Sequence, residues 1–235
     1  MENVGEYFEN DISIDEFQGI KIIQSKILPK YQIDAFLLVD FADAINQSNY
    51  LTVDFGAGTG AVGLTYSKKN KGKIILVEIQ KELFELEQKS ITLNNLQDRV
   101  SALNIDIKDI SNSIKNNSVD VVISNPPYFD IQSHKKRMAN TAFEIARHEI
   151  KLELKDLIFA TKKILKNKGK FYLIHRSSRI LEILELLKEH NFGIENMQFV
   201  YHNKNSKSDL VLIKAIKDGS NRDVKILEPK FVEEM

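Results

Sequence analysis

The sequence has no cysteine, which excludes disulfide bonds and metal sites built on thiolates. Its charges balance, with 33 Lys and Arg residues against 33 Asp and Glu residues, so a nucleic-acid partner would require segregated charge. No apolar run approaches the length of a membrane span, and residues 1–6 form neither a basic segment nor an apolar signal core. These absences favour a cytoplasmic protein without membrane attachment.

The chain is long enough for one α/β domain with a sizeable core. It has 235 residues, of which 43% are hydrophobic and 28% charged, values typical of a globular protein. We therefore predict a single domain over residues 1–235. Within it, residues 1–49 are predicted to form an N-terminal extension and a packing helix, and residues 50–235 the core of the domain.

Apolar runs separated by turn residues predict alternating strands and helices, as in a doubly wound fold. The predicted helices cover residues 31–42, 61–67, 81–95, 152–165 and 179–190. The predicted strands cover residues 51–55, 73–78, 100–104, 119–124, 170–175, 197–201 and 209–215. Residues 167–169, which end in glycine, are expected to separate a helix from the fifth strand. The predicted fold class is α/β, with a mostly parallel seven-stranded sheet and an antiparallel C-terminal strand.

A turn of four residues, Asn125, Pro126, Pro127 and Tyr128, follows the apolar run of residues 119–124. Neither proline can donate to a sheet ladder, so the strand must end here. The stiff backbone holds two hydrogen-bond acceptors, the Asn125 side chain and the Pro126 carbonyl, beside the Tyr128 ring. This arrangement suits a planar group that carries an NH2, such as an adenine edge or a carboxamide. The alternative is an ordinary proline turn after a strand.

A glycine turn follows the first core strand, with Gly56, Gly58 and Gly60 able to let a ligand approach the backbone. Asp54, at the end of that strand, would repel a pyrophosphate but can meet a cationic amino-acid head group. Glu78 ends the next strand, at about the 20-residue spacing expected of an acid that binds ribose hydroxyls. The turn is therefore not expected to bind a dinucleotide.

Asp106 lies just beyond the third core strand, where it is predicted to approach an adenine. S-adenosylmethionine combines an ammonium group, a ribose diol and an adenine, and it carries no phosphate. Asp54, Glu78 and Asp106 would serve these three parts in strand order, so we predict S-adenosylmethionine as the cofactor. The alternative for each acid is a solvated strand end or a helix cap.

The glycine turn, the three acids and the turn of residues 125–128 resemble class I methyltransferases that act on planar amino nitrogens. More narrowly, the chain resembles bacterial tRNA (adenine-N6) methyltransferases that modify the adenine beside the anticodon of a valine tRNA. The narrower likeness rests on residues 34–38, 125–129, 146–149 and 175–183. It implies a Rossmann-like fold, tRNA as the partner and no metal. A monomer is favoured, and the sequence leaves the oligomeric state open. The likeness also implies that Asn125, Pro126 and Tyr128 are catalytic, and that Asn125 lies at the cofactor.

Several residues are candidates for substrate binding. They are Pro127, Tyr128, Lys135, Lys136, Arg137 and His148, together with Lys204 and Lys207 as further RNA contacts. Residues 129–148 form a polar stretch whose length favours a functional segment. Tyr128 is predicted to stack on the target base, whereas a solvated face is an equal alternative for the charged residues.

Other functions fit the sequence less well. Release-factor methyltransferases share the turn of residues 125–128 and act on a glutamine carboxamide, but they usually carry a helical substrate domain before the first strand. DNA adenine methylation normally needs a target-recognition segment, and the residues after Ile194 are too few for one. A non-enzymatic RNA-binding module would not require the intact acids and Asn125. A nicotinamide dehydrogenase would need a hydride-handling site, which the sequence does not suggest.

Overall fold

The computed structural model describes residues 12–26, 28, 33–128, 153–220 and 223–234. Its helices are α1 Ile33–Phe41, α2 Ala61–Tyr66, α3 Lys81–Leu93, α4 Leu154–Ile164 and α5 Ile180–Glu189. Its strands are β1 Ile12–Phe17, β2 Ile20–Ser25, β3 Leu51–Phe55, β4 Lys73–Glu78, β5 Val100–Asn104, β6 Val119–Ser124, β7 Leu165–Arg176, β8 Phe192–Tyr201, β9 Ser208–Lys217, β10 Lys225–Ile226 and β11 Lys230–Phe231. Within these ranges, no helix has both the length and the apolar character needed to cross a bilayer.

Strands β3 to β11 form one twisted sheet in the order β10-β8-β9-β7-β6-β3-β4-β5, with β11 also pairing with β8. Five neighbouring strands of the sheet run parallel to one another, in the order β5, β4, β3, β6 and β7. Strand β9 lies between β7 and β8 and is antiparallel to both. The predicted α/β fold, with a mostly parallel sheet and an antiparallel strand near the C-terminus, is thus confirmed. The two-residue strands β10 and β11 were not predicted; they add to the sheet edge beside β8.

The central strands are buried on both faces, which explains their nearly continuous apolar sequences. Along β6, Val121 and Ile123 belong to one core cluster and Val122 to the other. Helices α1 and α2 contribute to the first cluster, and α4 and α5 to the second. Because both faces are covered, a ligand must reach this sheet at the ends of its strands.

Two predicted strand boundaries are wrong, the start of β7 and the start of β8. Helix α4 ends at Ile164 and β7 begins at once at Leu165, so residues 167–169 lie inside a strand and do not form a turn between elements. Leu165 pairs with Val119, and the register then shifts before Lys170 pairs with Val121. Lys168 takes a positive φ of 62° in this irregular stretch. Because β7 pairs with β6 on both sides of residues 167–169, these residues form an irregularity within the strand. Strand β8 likewise begins earlier than predicted, at Phe192.

The N-terminal extension contains two short strands. Strands β1 and β2 form an antiparallel hairpin, whose turn residues Gln18 and Gly19 both have positive φ. The hairpin is fastened to α3, because the Ile23 N–H donates to Ser90 Oγ over 2.9 Å. Residues 1–11 lie outside the described part of the chain.

Candidate active site

The carboxyl ends of β3, β4 and β6 meet at one edge of the sheet. Phe55, the last residue of β3, pairs with Val77 on one side and with Ser124 on the other. Ser124 Oγ also donates a hydrogen bond to the Phe55 carbonyl oxygen over 2.8 Å. The residues that follow these three strands are therefore brought together. In open α/β sheets, this edge is where ligands bind.

The glycine turn after β3 has a backbone that only glycine adopts readily. Gly56, Gly58 and Gly60 have φ values of 67°, 62° and 81°. The Gly56 N–H donates to the Val77 carbonyl over 2.9 Å, which holds the turn against β4. A methyl group added at Gly58 would meet none of the described atoms within 4 Å. The turn is thus open on the side where a ligand would approach.

Asp54 lies beneath this turn and is only 1% exposed. Its Oδ2 accepts a hydrogen bond from the Gly63 N–H over 2.8 Å, whereas its Oδ1 has no partner among the described residues. Burial, reinforced by the charge of Glu78, raises the pKa of Asp54 to about 8. A cation placed near Oδ1 would stabilise the ionised carboxylate and lower this pKa.

Glu78 stands at the end of β4 and connects the glycine turn with the start of α3. Its Oε2 accepts from the Gly58 N–H and its Oε1 from the Gln80 N–H, each over 2.9 Å. Burial raises the pKa of Glu78, although these backbone donors oppose the shift. The Ile79 N–H and the Gln80 side chain also donate to this carboxylate, so a ligand hydroxyl would bind in place of the Gln80 side chain.

Asp106 follows β5 and acts as a helix cap. Its Oδ1 accepts from the Lys108 N–H over 2.9 Å, at the start of a 3-10 helix that spans Ile107–Asn112. This is the alternative that the sequence left open for Asp106. A contact between its half-buried side chain and an adenine stays a prediction.

The chemistry at this edge fits S-adenosylmethionine. Asp54 offers a buried oxygen without a hydrogen-bond partner among the described residues, which suits an ammonium group. Glu78 offers carboxylate lone pairs for a ribose diol, and Gly58 leaves open space beside them. A cationic group is more favourable than a phosphate beside these two acids, because it stabilises their ionised forms.

The turn of residues 125–128 adjoins the same edge. Tyr128 Oη donates a hydrogen bond to Asn125 Oδ1 over 2.6 Å. Asn125 and Tyr128 are half-buried, Pro126 is buried and Pro127 is exposed. The bond from Tyr128 holds the Asn125 amide in place and leaves Oδ1 a second lone pair for an incoming N–H.

The end of β7 packs against the Tyr128 ring. The His175 ring lies 5.1 Å away in an edge-to-face arrangement, and the Arg176 guanidinium lies 5.3 Å from the ring centre. Burial, followed by the charge of Asp34, raises the pKa of Tyr128 well above its usual value, so its hydroxyl stays neutral. Asp34 therefore acts on Tyr128, both through its charge and through a hydrogen bond with the Tyr128 hydroxyl.

His175 is an uncharged packing partner at neutral pH. Burial, with the nearby Arg179, lowers the pKa of His175 to about 4. Its Nδ1 accepts from the Arg176 N–H over 2.8 Å.

The basic candidates fall into two groups. Lys135, Lys136, Arg137 and His148 lie outside the described residues. Lys204 and Lys207 are exposed in the loop of residues 202–207 between β8 and β9. Strand β8 runs parallel to β7, because both are antiparallel to β9, so this loop lies at the same sheet edge as the turn of residues 125–128.

Sequence analysis missed two residues near the site. Arg176 was noticed only within a likeness to known proteins, although a residue ending a predicted central strand is a natural candidate for the ligand edge. Glu87 lies in the predicted helix of residues 81–95 and was not singled out, yet it is fully buried. Its position four residues after Leu83 and four before Ile91 placed it on the apolar face of α3, and that spacing was the available signal.

Comparisons with known proteins agree with this geometry. Residues 33–204 match the family model of the methyltransferase small domain. A tRNA1(Val) (adenine(37)-N6)-methyltransferase from Flavobacteriaceae bacterium (strain 3519-10) is 27% identical, over 93% of this chain and 89% of that protein. A protein of the same name from Pseudoalteromonas translucida is 30% identical, over 72% of this chain and 70% of that protein.

A solved structure shares the fold. A predicted O-methyltransferase from Agrobacterium tumefaciens has a TM-score of 0.64 and 22% sequence identity, and the match covers 84% of this chain and 86% of that one. The family model spans most of the chain, and one relative reaches 30% identity over more than two thirds of its own length. The chain therefore belongs to the methyltransferase small domain family, groups with the tRNA1(Val) (adenine(37)-N6)-methyltransferases, and is an S-adenosylmethionine-dependent methyltransferase.

Proposed function

We propose that this enzyme methylates the exocyclic N6 amine of an adenine in tRNA, and that the adenine is the one beside the anticodon of a valine tRNA. The shared name of its relatives supports the substrate. The observation that carries the chemistry is the turn of residues 125–128, where Asn125 Oδ1 is held by Tyr128 at the carboxyl edge of the sheet. Two acceptors beside an aromatic ring suit a planar amine.

The chain contributes positioning and electrostatics to the reaction. When bound, S-adenosylmethionine supplies a methyl group on a positively charged sulfur, so the methyl group is already activated. Asn125 Oδ1 and the Pro126 carbonyl each accept one N–H of the amine, which turns the nitrogen lone pair out of the ring plane and toward the methyl group. The same two acceptors stabilise the positive charge that develops on the nitrogen until its proton passes to water. No general base is required.

The Tyr128 ring stacks on the target adenine. An adenine must leave its stack to reach a pocket at the sheet edge. Stacking on the Tyr128 ring returns roughly 1–3 kcal/mol of the stacking energy lost in that step. His175 packs edge-on against the same ring and limits its rotation. Asp54 and Glu78 hold the cofactor in this proposal, and Asp106 contacts its adenine.

Methyl transfer from labelled S-adenosylmethionine to bulk tRNA tests the proposal. The labelled tRNA is digested to nucleosides, and we expect N6-methyladenosine as the labelled product. Fractionation of the tRNA before digestion is expected to place the label in a valine tRNA. Label in another tRNA would retain the chemistry and reject the valine assignment.

The same assay distinguishes tRNA methylation from the main alternative, methylation of a glutamine in a release factor. A glutamine carboxamide presents the same planar NH2 as adenine, so release factors are supplied in parallel with tRNA. Label on a release factor and none on tRNA would reject the proposed substrate in favour of glutamine. Cofactor binding without transfer to either would reject both substrates.

A further inference from the structure

Strand β7 extends past its neighbour at the active-site edge. Ser124, the last residue of β6, pairs with Leu173, so residues 174–176 continue beyond the end of β6. Strand β9 holds this extension on its other side, where His175 pairs with Val211 and Arg176 with Leu210. The final residues of β7 thus stand beside the turn of residues 125–128 with their backbone fixed by the sheet.

The two side chains at this end of β7 differ in their access to solvent. His175 is only 2% exposed and packs against Tyr128, whereas Arg176 is exposed. The Arg176 guanidinium lies 5.3 Å from the centre of the Tyr128 ring. A guanidinium stacked on a ring keeps its N–H donors around its own edge, where they can reach a ligand.

Arg176 also differs from its neighbour Arg179, whose charge is balanced by an ion pair. Arg179 Nε donates to Glu182 Oε2 over 2.8 Å, and the two side chains form an ion pair. No carboxylate lies within ion-pair distance of Arg176 in the part of the chain that the structure describes. An exposed arginine with unused donors beside a candidate base-stacking ring suits a phosphate.

We infer that Arg176 binds a backbone phosphate of the RNA next to the target adenine, while Tyr128 stacks on the base itself. This inference rests on the proposed tRNA substrate and adds a contact that fixes the position of the flipped nucleotide. Ser177 Oγ donates to the Ser208 carbonyl over 2.5 Å, which ties the end of the loop that carries Lys207 to the end of β7.

The test compares Arg176→Gln with the wild-type enzyme in tRNA binding at several salt concentrations. We expect about a 10-fold loss of tRNA affinity and a salt dependence whose slope falls by about one, because one phosphate contact is lost. The dissociation constant of S-adenosylmethionine should not change. Arg176→Lys is expected to keep the slope and to recover part of the affinity, because lysine retains the charge without the planar donors.

Lys188→Gln is the matched control. Lys188 is exposed in the last turn of α5, at the far end of the helix that follows Arg176, and its substitution removes the same charge. We expect neither the tRNA affinity nor the salt slope to change in this variant. Equal losses in both variants would indicate general charge attraction and overturn the inference.

The outcomes distinguish this inference from the proposed function. If the wild-type enzyme methylates tRNA and Arg176→Gln keeps the wild-type affinity and slope, the inference is wrong and the proposed function stands. A variant that loses turnover with unchanged tRNA affinity and slope would show that Arg176 only supports Tyr128, which also overturns the inference. If the wild-type enzyme does not methylate tRNA, the proposed function and the inference about Arg176 are both wrong.

Discussion

Asn125 is the residue on which the proposed chemistry depends most directly. Its Oδ1 accepts from Tyr128 and retains one lone pair for the substrate amine. We expect Asn125→Ala to lower the rate of methyl transfer by about 100-fold or more, the usual effect of removing one polar group that stabilises a transition state. Cofactor affinity should change little, because Asp54 and Glu78 remain.

Single-turnover methyl transfer and calorimetric titration with S-adenosylmethionine measure the two effects separately. Asn116→Ala serves as the control, since Asn116 is exposed and precedes the opposite end of β6. A transfer rate within about 3-fold of wild type in Asn125→Ala would remove Asn125 from the mechanism.

Glu87 is expected to make stability depend on pH, because its side chain is buried. It is fully buried, and both carboxylate oxygens lack a hydrogen-bond partner among the described residues. Burial, reinforced by the charges of Glu78 and Asp54, raises the pKa of Glu87 to about 10. Between the ordinary pKa of 4.5 and this value, the folded state keeps a proton that the unfolded state releases. The contribution of Glu87 to stability is therefore fully present below pH 4.5 and declines as pH rises toward 10.

Glu87→Gln removes this titration while keeping the side-chain shape. We expect the variant to match wild type near pH 4.5 and to be more stable at pH 8, by about 1–3 kcal/mol. Urea denaturation at several pH values measures the difference. Glu85→Gln, an exposed change on the same helix, should show no such trend. A Glu87→Gln effect that is equal at both pH values would mean that Glu87 is ionised in the folded protein.

Helix α2 depends on close packing against the sheet. A methyl group added at Gly63 would lie 2.2 Å from Leu76 Cδ2 and 3.1 Å from Asp54 Oδ2. Gly63 also donates its N–H to Asp54, so the position of the helix sets the position of this acid. Glycine at position 63 therefore lets α2 pack closely against Leu76 and fixes the position of the Asp54 carboxylate.

We expect Gly63→Ala to destabilise the protein by about 1–3 kcal/mol, because overpacking outweighs the better helix propensity of alanine. Thermal or urea unfolding measures the change. The double variant with Leu76→Ala is the control, because it makes room for the added methyl group. Gly63→Ala should cost less in the Leu76→Ala background than in wild type. An equal cost in both backgrounds would exclude the clash with Leu76 as the cause.

At the scale of the whole molecule, Asp43 joins distant parts of the chain. It lies between α1 and β3, and its Oδ2 accepts from Lys170 over 2.7 Å and from Lys214 over 2.9 Å. Tyr66 Oη donates to the Asp43 carbonyl over 2.7 Å. Burial alone would raise the pKa of Asp43, but the hydrogen bonds from the two lysines lower it well below its usual range. The connection after α1 is thereby fixed to β7, β9 and α2.

Asp43→Asn is expected to destabilise the fold by about 1–3 kcal/mol, less than for a fully buried pair because Asp43 is partly exposed. A depressed pKa contributes stability above the ordinary value of 3.8 that is lost as pH falls. The difference from wild type should therefore shrink below about pH 4. Chemical denaturation at pH 7 and pH 3 measures it. Asp98→Asn, at an exposed position, should have little effect at either pH.

The sequence by itself determined the four strands that build the candidate site. The predicted bounds of β3, β4, β5 and β6 agree with the structure, because each is an apolar run ended by a local signal. The glycine turn, the strand-end acids and the turn of residues 125–128 follow these runs directly. Parallel pairing then brings them to one edge, so most of the candidate site could be predicted from local patterns.

Only the tertiary structure decided features that depend on partners distant in the chain. Strand β7 begins at Leu165, in spite of the turn residues that follow, because β6 offers hydrogen bonds there. Strand β9 inserts between β7 and β8, and its pairing holds Arg176 beside Tyr128. These outcomes depend on contacts between segments far apart in the chain, and local sequence patterns do not record such contacts.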